Sequence, residues 1–273
     1  VIGGGPAGML SALYASKYGA EVKLVEKSNF LGGHLRWNRP AIVNKVLDID
    51  QQSTAELVLF LSSEVNKSKK IEVINNASAF GNYENNLLGI LKEEFFLKLR
   101  AKTVVFATGA HELPSTFENN DLPGIMLCSA VQKLIRLYGV TPAQKAVIFG
   151  STNSIYETAL DLKDIGIEIL AIIDERESFE VSSQILDEVK SRDIEILSGY
   201  TVLKAKGGKY LKSCIVRPIN DSNIFKQIQC DLMAISNGVQ GNFGLLQQSG
   251  FKFLFDTKID QFIPQGVVQG VFH

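Results

Sequence analysis

The run VIGGGPAG at Val1 to Gly8 constrains the fold more than any other segment, because it carries an apolar strand end straight into a glycine turn. The helix-like stretch Met9 to Tyr18 and the strand Glu21 to Val25 follow, which makes a βαβ opening. Gly3, Gly5 and Gly8 fit GxGxxG, and Glu26 closes the second strand 23 residues after Gly3. Each position has a physical reason. Gly3 permits a tight turn, Gly5 presents bare backbone to a pyrophosphate, and Gly8 lets the helix pack closely on the strand. A diphosphate would sit on the helix N-terminus, where unpaired N–H groups and the helix dipole favour negative charge, and Glu26 would accept hydrogen bonds from an adenosine ribose. The competing reading, a structural glycine turn with a solvated Glu26, leaves the strand–glycine–helix–strand–acid order unexplained.

From Asn29 the chain runs NFLGGHLRW, so a second glycine loop follows the acid; Ser53 to Val65 then reads as helical and Ile71 to Phe80 as strand. Three short β-rich runs lead to TVVFATG at Thr103 to Gly109, a buried strand ending in a small-residue turn that can approach a ligand. A second unit of the same kind starts at Lys145 with KAVIFG, and Gly150 and Asp174 lie 24 residues apart, nearly repeating Gly3 to Glu26. Ile194 to Lys206 mirrors Ile71 to Gly81, and CDLMAISNG at Cys230 to Gly238 mirrors AKTVVFATG at Ala101 to Gly109. An internal duplication follows from these parallels. The expected fold is α/β, with two Rossmann-like three-layer dinucleotide-binding domains, the second inserted in the first. Its expected bounds are residues 1–113 with 232–273 for the first domain and 114–231 for the second, with antiparallel meanders near 72–100 and 195–229. The second nucleotide site reads as degenerate. Gly150 keeps the turn glycine, but Thr152 stands where bare backbone should meet a pyrophosphate, and Ile155 replaces the helix-packing glycine. Asp174 remains as a ribose acceptor, Arg176 beside it blurs any choice between NADH and NADPH, and Ser151 and Asn153 offer donors to a rearranged turn.

Composition narrows the function classes. A chain of 273 residues suits two domains. Its 28 basic side chains against 29 acidic ones give a net charge of -1, so neither nucleic acid nor an anionic membrane is an expected partner. No apolar run reaches the roughly 20 residues that span a bilayer. Cys128, Cys214 and Cys230 form no CxxC and no ligand cluster, which suits a reducing cytoplasm and no metal site. The chain opens on Val1, which reads as a strand tail inside a longer fold.

On these residues the chain resembles the two-dinucleotide-binding-domain flavoprotein superfamily, which includes thioredoxin reductase and the pyridine nucleotide-disulfide oxidoreductases. Within that group, ATGAHELPSTFENNDLPGIMLCSAVQKLIRLYGVTP at Ala107 to Pro142 is similar to the α subunit of heterotetrameric sarcosine oxidase and its relatives among dye-linked proline dehydrogenase, opine oxidase and hydrogen cyanide synthase subunits. LGGHL and the SNG turn before Phe243 extend the likeness over nearly the whole chain. The resemblance implies a nucleotide-binding subunit of an amine or imino-acid oxidoreductase, working with an amine-oxidising flavoprotein subunit of β type and, in some assemblies, a small iron–sulfur subunit. It implies FAD, NAD or ATP in the first site. Gly3, Gly5, Pro6, Ala7 and Gly8 would then line the diphosphate, Glu26 the ribose with Lys27 beside it, and Gly33, His34 and Leu35 the loop bordering the ligand. Ala79 would offer a backbone contact to adenine, and Thr108 with Gly109 would close over the cofactor. For His34 a phosphate or ribityl contact and a plain loop histidine weigh equally, whereas His111 reads as structural. The superfamily continues beyond the point where GVFH ends this chain, into a segment that contacts the flavin.

Two rival functions remain. A stand-alone NAD(P)H-dependent FAD oxidoreductase of disulfide-reductase type needs a cysteine pair, yet GIMLCSAV keeps Cys128 and has Val131 in the partner position. Cys128, the one catalytic candidate, is therefore expected to be a packing residue. The other rival is a nucleotide-binding scaffold with no turnover of its own.

Overall fold

The computed structural model describes residues 1–39, 42–43, 52–177 and 183–273. The chain divides into two compact units. One comprises Val1–Arg36, Pro40–His111 and Gln240–His273, and the other Trp37–Arg39 and Glu112–Val239.

In the first unit Val22–Val25 pairs in parallel with Ile71–Ile74, and Val104–Val105 with Val271–Phe272. Parallel bridges from Ile2 to Val25 and Phe106 tie these pairs together, so the short segment Val1-Ile2 lies at the centre of the array. Helices α1 (Pro6–Lys17) and α2 (Thr54–Lys67) cover one face, where Met9, Ala12, Leu24, Leu61 and Val65 form one buried cluster. Successive strand residues point to opposite faces, so Val25 joins Ile2, Ala77, Leu88, Ile90 and Phe106 on the other side. That side is covered by the antiparallel meander Ala77–Tyr83, Leu87–Lys92 and Phe95–Arg100. Helix α2 starts where its sequence says it should. Ser53 is the N-cap, its hydroxyl accepting from the Glu56 N–H at 3.3 Å while the Glu56 carboxylate takes the Ser53 N–H at 2.8 Å.

The second unit repeats the plan with a longer sheet. Its strand order is Ile196–Ser198, Glu168–Asp174, Lys145–Gly150, Leu232–Ser236, Ile125–Leu127, all parallel. KAVIFG is buried on both faces. Ala146 and Ile148 pack with α3 (Cys128–Tyr138), α4 (Ser154–Asp164) and α5 (Ser183–Ser191), while Val147 and Phe149 pack against the meander Tyr200–Gly207, Leu211–Pro218 and Lys226–Gln229. The sequence reading placed residues from Leu232 onward in the first domain. The structure corrects this, because Leu232–Ser236 is hydrogen-bonded between Lys145–Gly150 and Ile125–Leu127 and the second unit runs on to Val239. An all-apolar strand followed by SNG looks the same at the edge of either sheet, so only pairing could place it. Among the described residues no helix is long and apolar enough to cross a membrane.

Candidate nucleotide site

The first glycine turn is built by steric exclusion at two glycines and by open space at the third. Gly3 has φ +106°, and a Cβ there would stand 2.2 Å from the Ala107 carbonyl oxygen; at Gly8 it would stand 1.8 Å from the Gly3 carbonyl oxygen. Neither position accepts any side chain. Gly5 differs, since its nearest neighbour would be the Gly33 Cα at 4.0 Å. It is also the N-cap of α1, with no side-chain cap and with Pro6 at the first helical position. The turn thus leaves the helix N–H groups of its first turn facing a space kept clear of side chains, which suits a diphosphate.

Glu26 is 7% exposed and works on the same turn. One carboxylate oxygen accepts the Gly4 N–H at 2.6 Å and the other the Ser28 N–H at 2.8 Å. A carboxylate has about four acceptor sites, so two remain for ribose hydroxyls. The second glycine loop lies over the first. The Gly32 N–H donates to the Gly4 carbonyl at 2.8 Å, and Gly33, at φ +54°, brings its missing Cβ within 3.0 Å of the Gly5 Cα. His34 is exposed and Leu35 half-buried on the short 3-10 turn Gly33–Arg36, Lys27 is exposed, and Ala79 is half-buried opposite Ile90. The structure therefore gathers Gly3 to Gly8, Glu26 and Gly33 in direct contact.

Thr108 and Gly109 are held by a residue the sequence reading did not single out. Asn242 accepts the Thr108 hydroxyl on its main-chain carbonyl at 2.9 Å, donates its side-chain Nδ2 to the Thr108 carbonyl at 2.9 Å, and donates its main-chain N–H to the Gly109 carbonyl at 2.9 Å. Its Oδ1 lies 3.0 Å from His111 Nδ1. An asparagine 134 residues from the threonine it holds carries no local signal, although its place just after the SNG turn was a usable hint.

The corresponding place in the second unit is closed. Gly150 keeps its positive φ of +154°, but the Thr152 hydroxyl lies 2.6 Å from Ser236 Oγ and Ile155 is fully buried in the core. Asp174 is completely buried. It accepts from Tyr156 OH at 2.8 Å and from Arg176 three times, through N at 2.9 Å, Nε at 2.9 Å and Nη2 at 2.8 Å. Those four donors use the whole acceptor capacity of a carboxylate, so the ribose role read from the sequence has no lone pair left to serve it. Burial and the bond to Asp174 push the Tyr156 hydroxyl well above its ordinary pKa, and Asp174 raises that of Arg176.

Cys128 opens α3 but is fully buried in the second unit's helical cluster. A helix N-terminus ordinarily favours a thiolate. Here Glu112 already sits at that end, its carboxylate taking the Ser129 N–H at 2.8 Å, and burial together with the Glu112 charge drives the Cys128 pKa upward. The thiol is held neutral.

A family model described as pyridine nucleotide-disulphide oxidoreductase matches residues 1–272. The chain is 28% identical over 289 residues to sarcosine oxidase subunit alpha of Corynebacterium sp. (strain P-1), covering 98% of this chain and 29% of that relative, so it spans under a third of the relative's length. Its fold superposes on L-proline dehydrogenase from P. horikoshii with a TM-score of 0.71 and 21% identity, over 99% of this chain and 48% of that one. On T. acidophilum thioredoxin reductase the TM-score is 0.77 at 19% identity, over 99% and 86% of the two chains.

Proposed function

Because this chain belongs to the pyridine nucleotide-disulphide oxidoreductase family, we propose that it is the nucleotide-binding part of an amine or imino-acid oxidoreductase of the sarcosine oxidase α type, holding FAD in its first unit and working with a flavin-containing partner subunit. The observation that carries the reading is the contrast at one position of the turn. Gly5 is open toward an uncapped helix start, whereas the second unit has Thr152 there. Similarity to a sarcosine oxidase subunit over 98% of the chain supports the amine class of donor.

In this reading Gly5, Ala7 and Gly8 bind the diphosphate through main-chain N–H groups, and Glu26 orients the adenosine ribose while keeping the turn closed through Gly4. Lys27 lies at the exposed rim, with His34 and Leu35 along the loop. Thr108 and Gly109 border the same ligand on a turn that Asn242 fixes, and Ala79 offers its backbone beside adenine. A bound flavin would supply two-electron acceptance; NAD or ATP in the same site would make the unit a structural nucleotide holder. The closed second site, with Asp174 fully engaged, supports arrival of reducing equivalents from the partner and not from NAD(P)H.

The test is to purify the chain with its co-expressed partner, denature it, and identify the released ligand by mass spectrometry and visible absorbance. FAD release with anaerobic bleaching by sarcosine or proline is expected. Protein that releases no nucleotide would overturn the site, and rapid bleaching by NADH without a partner would favour the stand-alone reductase instead.

A further inference from the structure

Apart from the nucleotide turn, the first unit contains a pocket of about 660 Å³ that none of the residues assigned to the nucleotide lines. Four of its ten lining residues are phenylalanines, and His111, Gln240, Asn242 and Gln247 add polar groups. Phe243 and Phe253 meet with ring centroids 5.1 Å apart, Phe251 is 6% exposed at the base, and Phe262 contributes a ring that is still 51% exposed. Phe262 stands on the strand Gln261–Gln265 of a two-stranded hairpin with Lys252–Asp256, and its ring also meets Phe255 edge-on at 5.2 Å. Among the described residues, no Lys, Arg, Asp or Glu lines the pocket.

One polar group at the wall has a defined hydrogen-bonding sense. Asn242 Nδ2 donates to the Thr108 carbonyl, which fixes the amide so that Oδ1 faces His111. A carbonyl oxygen only accepts, so His111 must carry its proton on Nδ1, and a neutral imidazole with Nδ1–H keeps a lone pair on Nε2. His111 is exposed and lines the pocket, and Nε2 is the ring nitrogen not engaged with Asn242.

We propose that this pocket is a second binding site, taking an uncharged planar aromatic or heteroaromatic ring that bears an O–H or N–H donor. The phenylalanine faces select for a flat apolar ring. The absence of charged lining residues disfavours an ionised one, because a charge moved there loses hydration without gaining a partner. His111 Nε2 selects for a donor on the ring edge. The proposal goes beyond the nucleotide reading and stands whichever nucleotide the first site holds.

The probes are 1-naphthol, which has the donor, and 1-methoxynaphthalene, which has the same ring without it, titrated by fluorescence into the intact chain. The expected result is saturable binding of both, with 1-naphthol about five- to tenfold tighter, the difference one hydrogen bond makes. His111→Phe should abolish that preference while leaving 1-methoxynaphthalene bound. Phe262→Ala, at an exposed hairpin position that leaves the fold in place, should weaken both probes together. Saturating FAD should displace neither, and FAD binding measured separately reports on the nucleotide site by itself. Equal affinities in the unaltered chain, a preference that survives His111→Phe, no binding of either probe, or displacement by FAD would each overturn the proposal.

Discussion

The first turn after the leading strand is made twice in this chain, and the two copies share their geometry but not their openness. Gly3 and Gly150 both adopt positive φ, and a Cβ at either would lie within about 2 Å of a carbonyl oxygen, at 2.2 Å from Ala107 and 1.9 Å from Ser236. Folding demands glycine at both places. Two residues later the copies part. Gly5 faces open space, while Thr152 spends its hydroxyl on Ser236. The acids part in the same way. Glu26 ties the turn together with two N–H bonds and keeps acceptor sites in reserve, whereas Asp174 is filled by Tyr156 and Arg176. The difference teaches that the turn glycine and the terminal acid serve the architecture of both units, and that ligand capacity depends on what is left unoccupied around them.

Gly8→Ala should have the largest effect and tests how tightly α1 is held. With a Cβ 1.8 Å from the Gly3 carbonyl oxygen, the helix must move, and a loss of about 3 kcal/mol or more is expected in chemical denaturation. The second unit tolerates Ile155 near the matching position because α4 starts at Ser154, four residues after Gly150, where α1 starts three after Gly3. A Gly8→Ala chain of unaltered stability would show that close packing is not what glycine provides.

Next comes Asp174→Asn, which leaves Arg176 and Tyr156 facing a neutral acceptor. A loss of roughly 2 to 4 kcal/mol is expected, with no change in the nucleotide that the first unit retains. Loss of nucleotide without loss of stability would instead make Asp174 a ligand residue.

Glu26→Gln breaks the comparison from the other side. An amide can accept from only one of Gly4 and Ser28, so the turn loosens by about 1 to 2 kcal/mol, and nucleotide affinity measured by equilibrium dialysis should fall further than stability does. Unchanged affinity would remove Glu26 from the site.

The smallest expected effect lies in α4, which differs from the nearly uncharged α1 in burying acids. Asp161 accepts from Arg136, Arg39 and Gln132, and burial together with the Asp161 charge raises the Glu157 pKa. A carboxyl with a raised pKa in the fold binds its proton more tightly folded than unfolded, so its contribution is full below the ordinary carboxylate range and is lost as pH rises from there through the raised folded value. Glu157→Gln should therefore gain on the unaltered chain between about pH 4 and pH 7, by under about 1 kcal/mol, in denaturation curves taken at both pH values. A gain independent of pH would assign the effect to packing.

Much of this protein was readable without a structure. GxGxxG with an acid 23 residues on fixes a strand–turn–helix–strand unit because Gly3 and Gly8 answer backbone demands that no other residue meets, and such demands are local. Likewise KAVIFG declares a strand buried on both faces by having only its first residue charged. What the tertiary structure alone decided are pairings between distant residues. Leu232–Ser236 belongs to the second sheet because Lys145–Gly150 and Ile125–Leu127 flank it. Thr108 is held by Asn242, and Cys128 is kept neutral by its burial and by Glu112 at the start of its own helix. Asp174 reads in sequence like Glu26, an acid at a strand end. It became unavailable because packing brought the Tyr156 hydroxyl to it and Arg176 folded back on it, and hydrogen-bond capacity is a property of the surroundings that no spacing encodes.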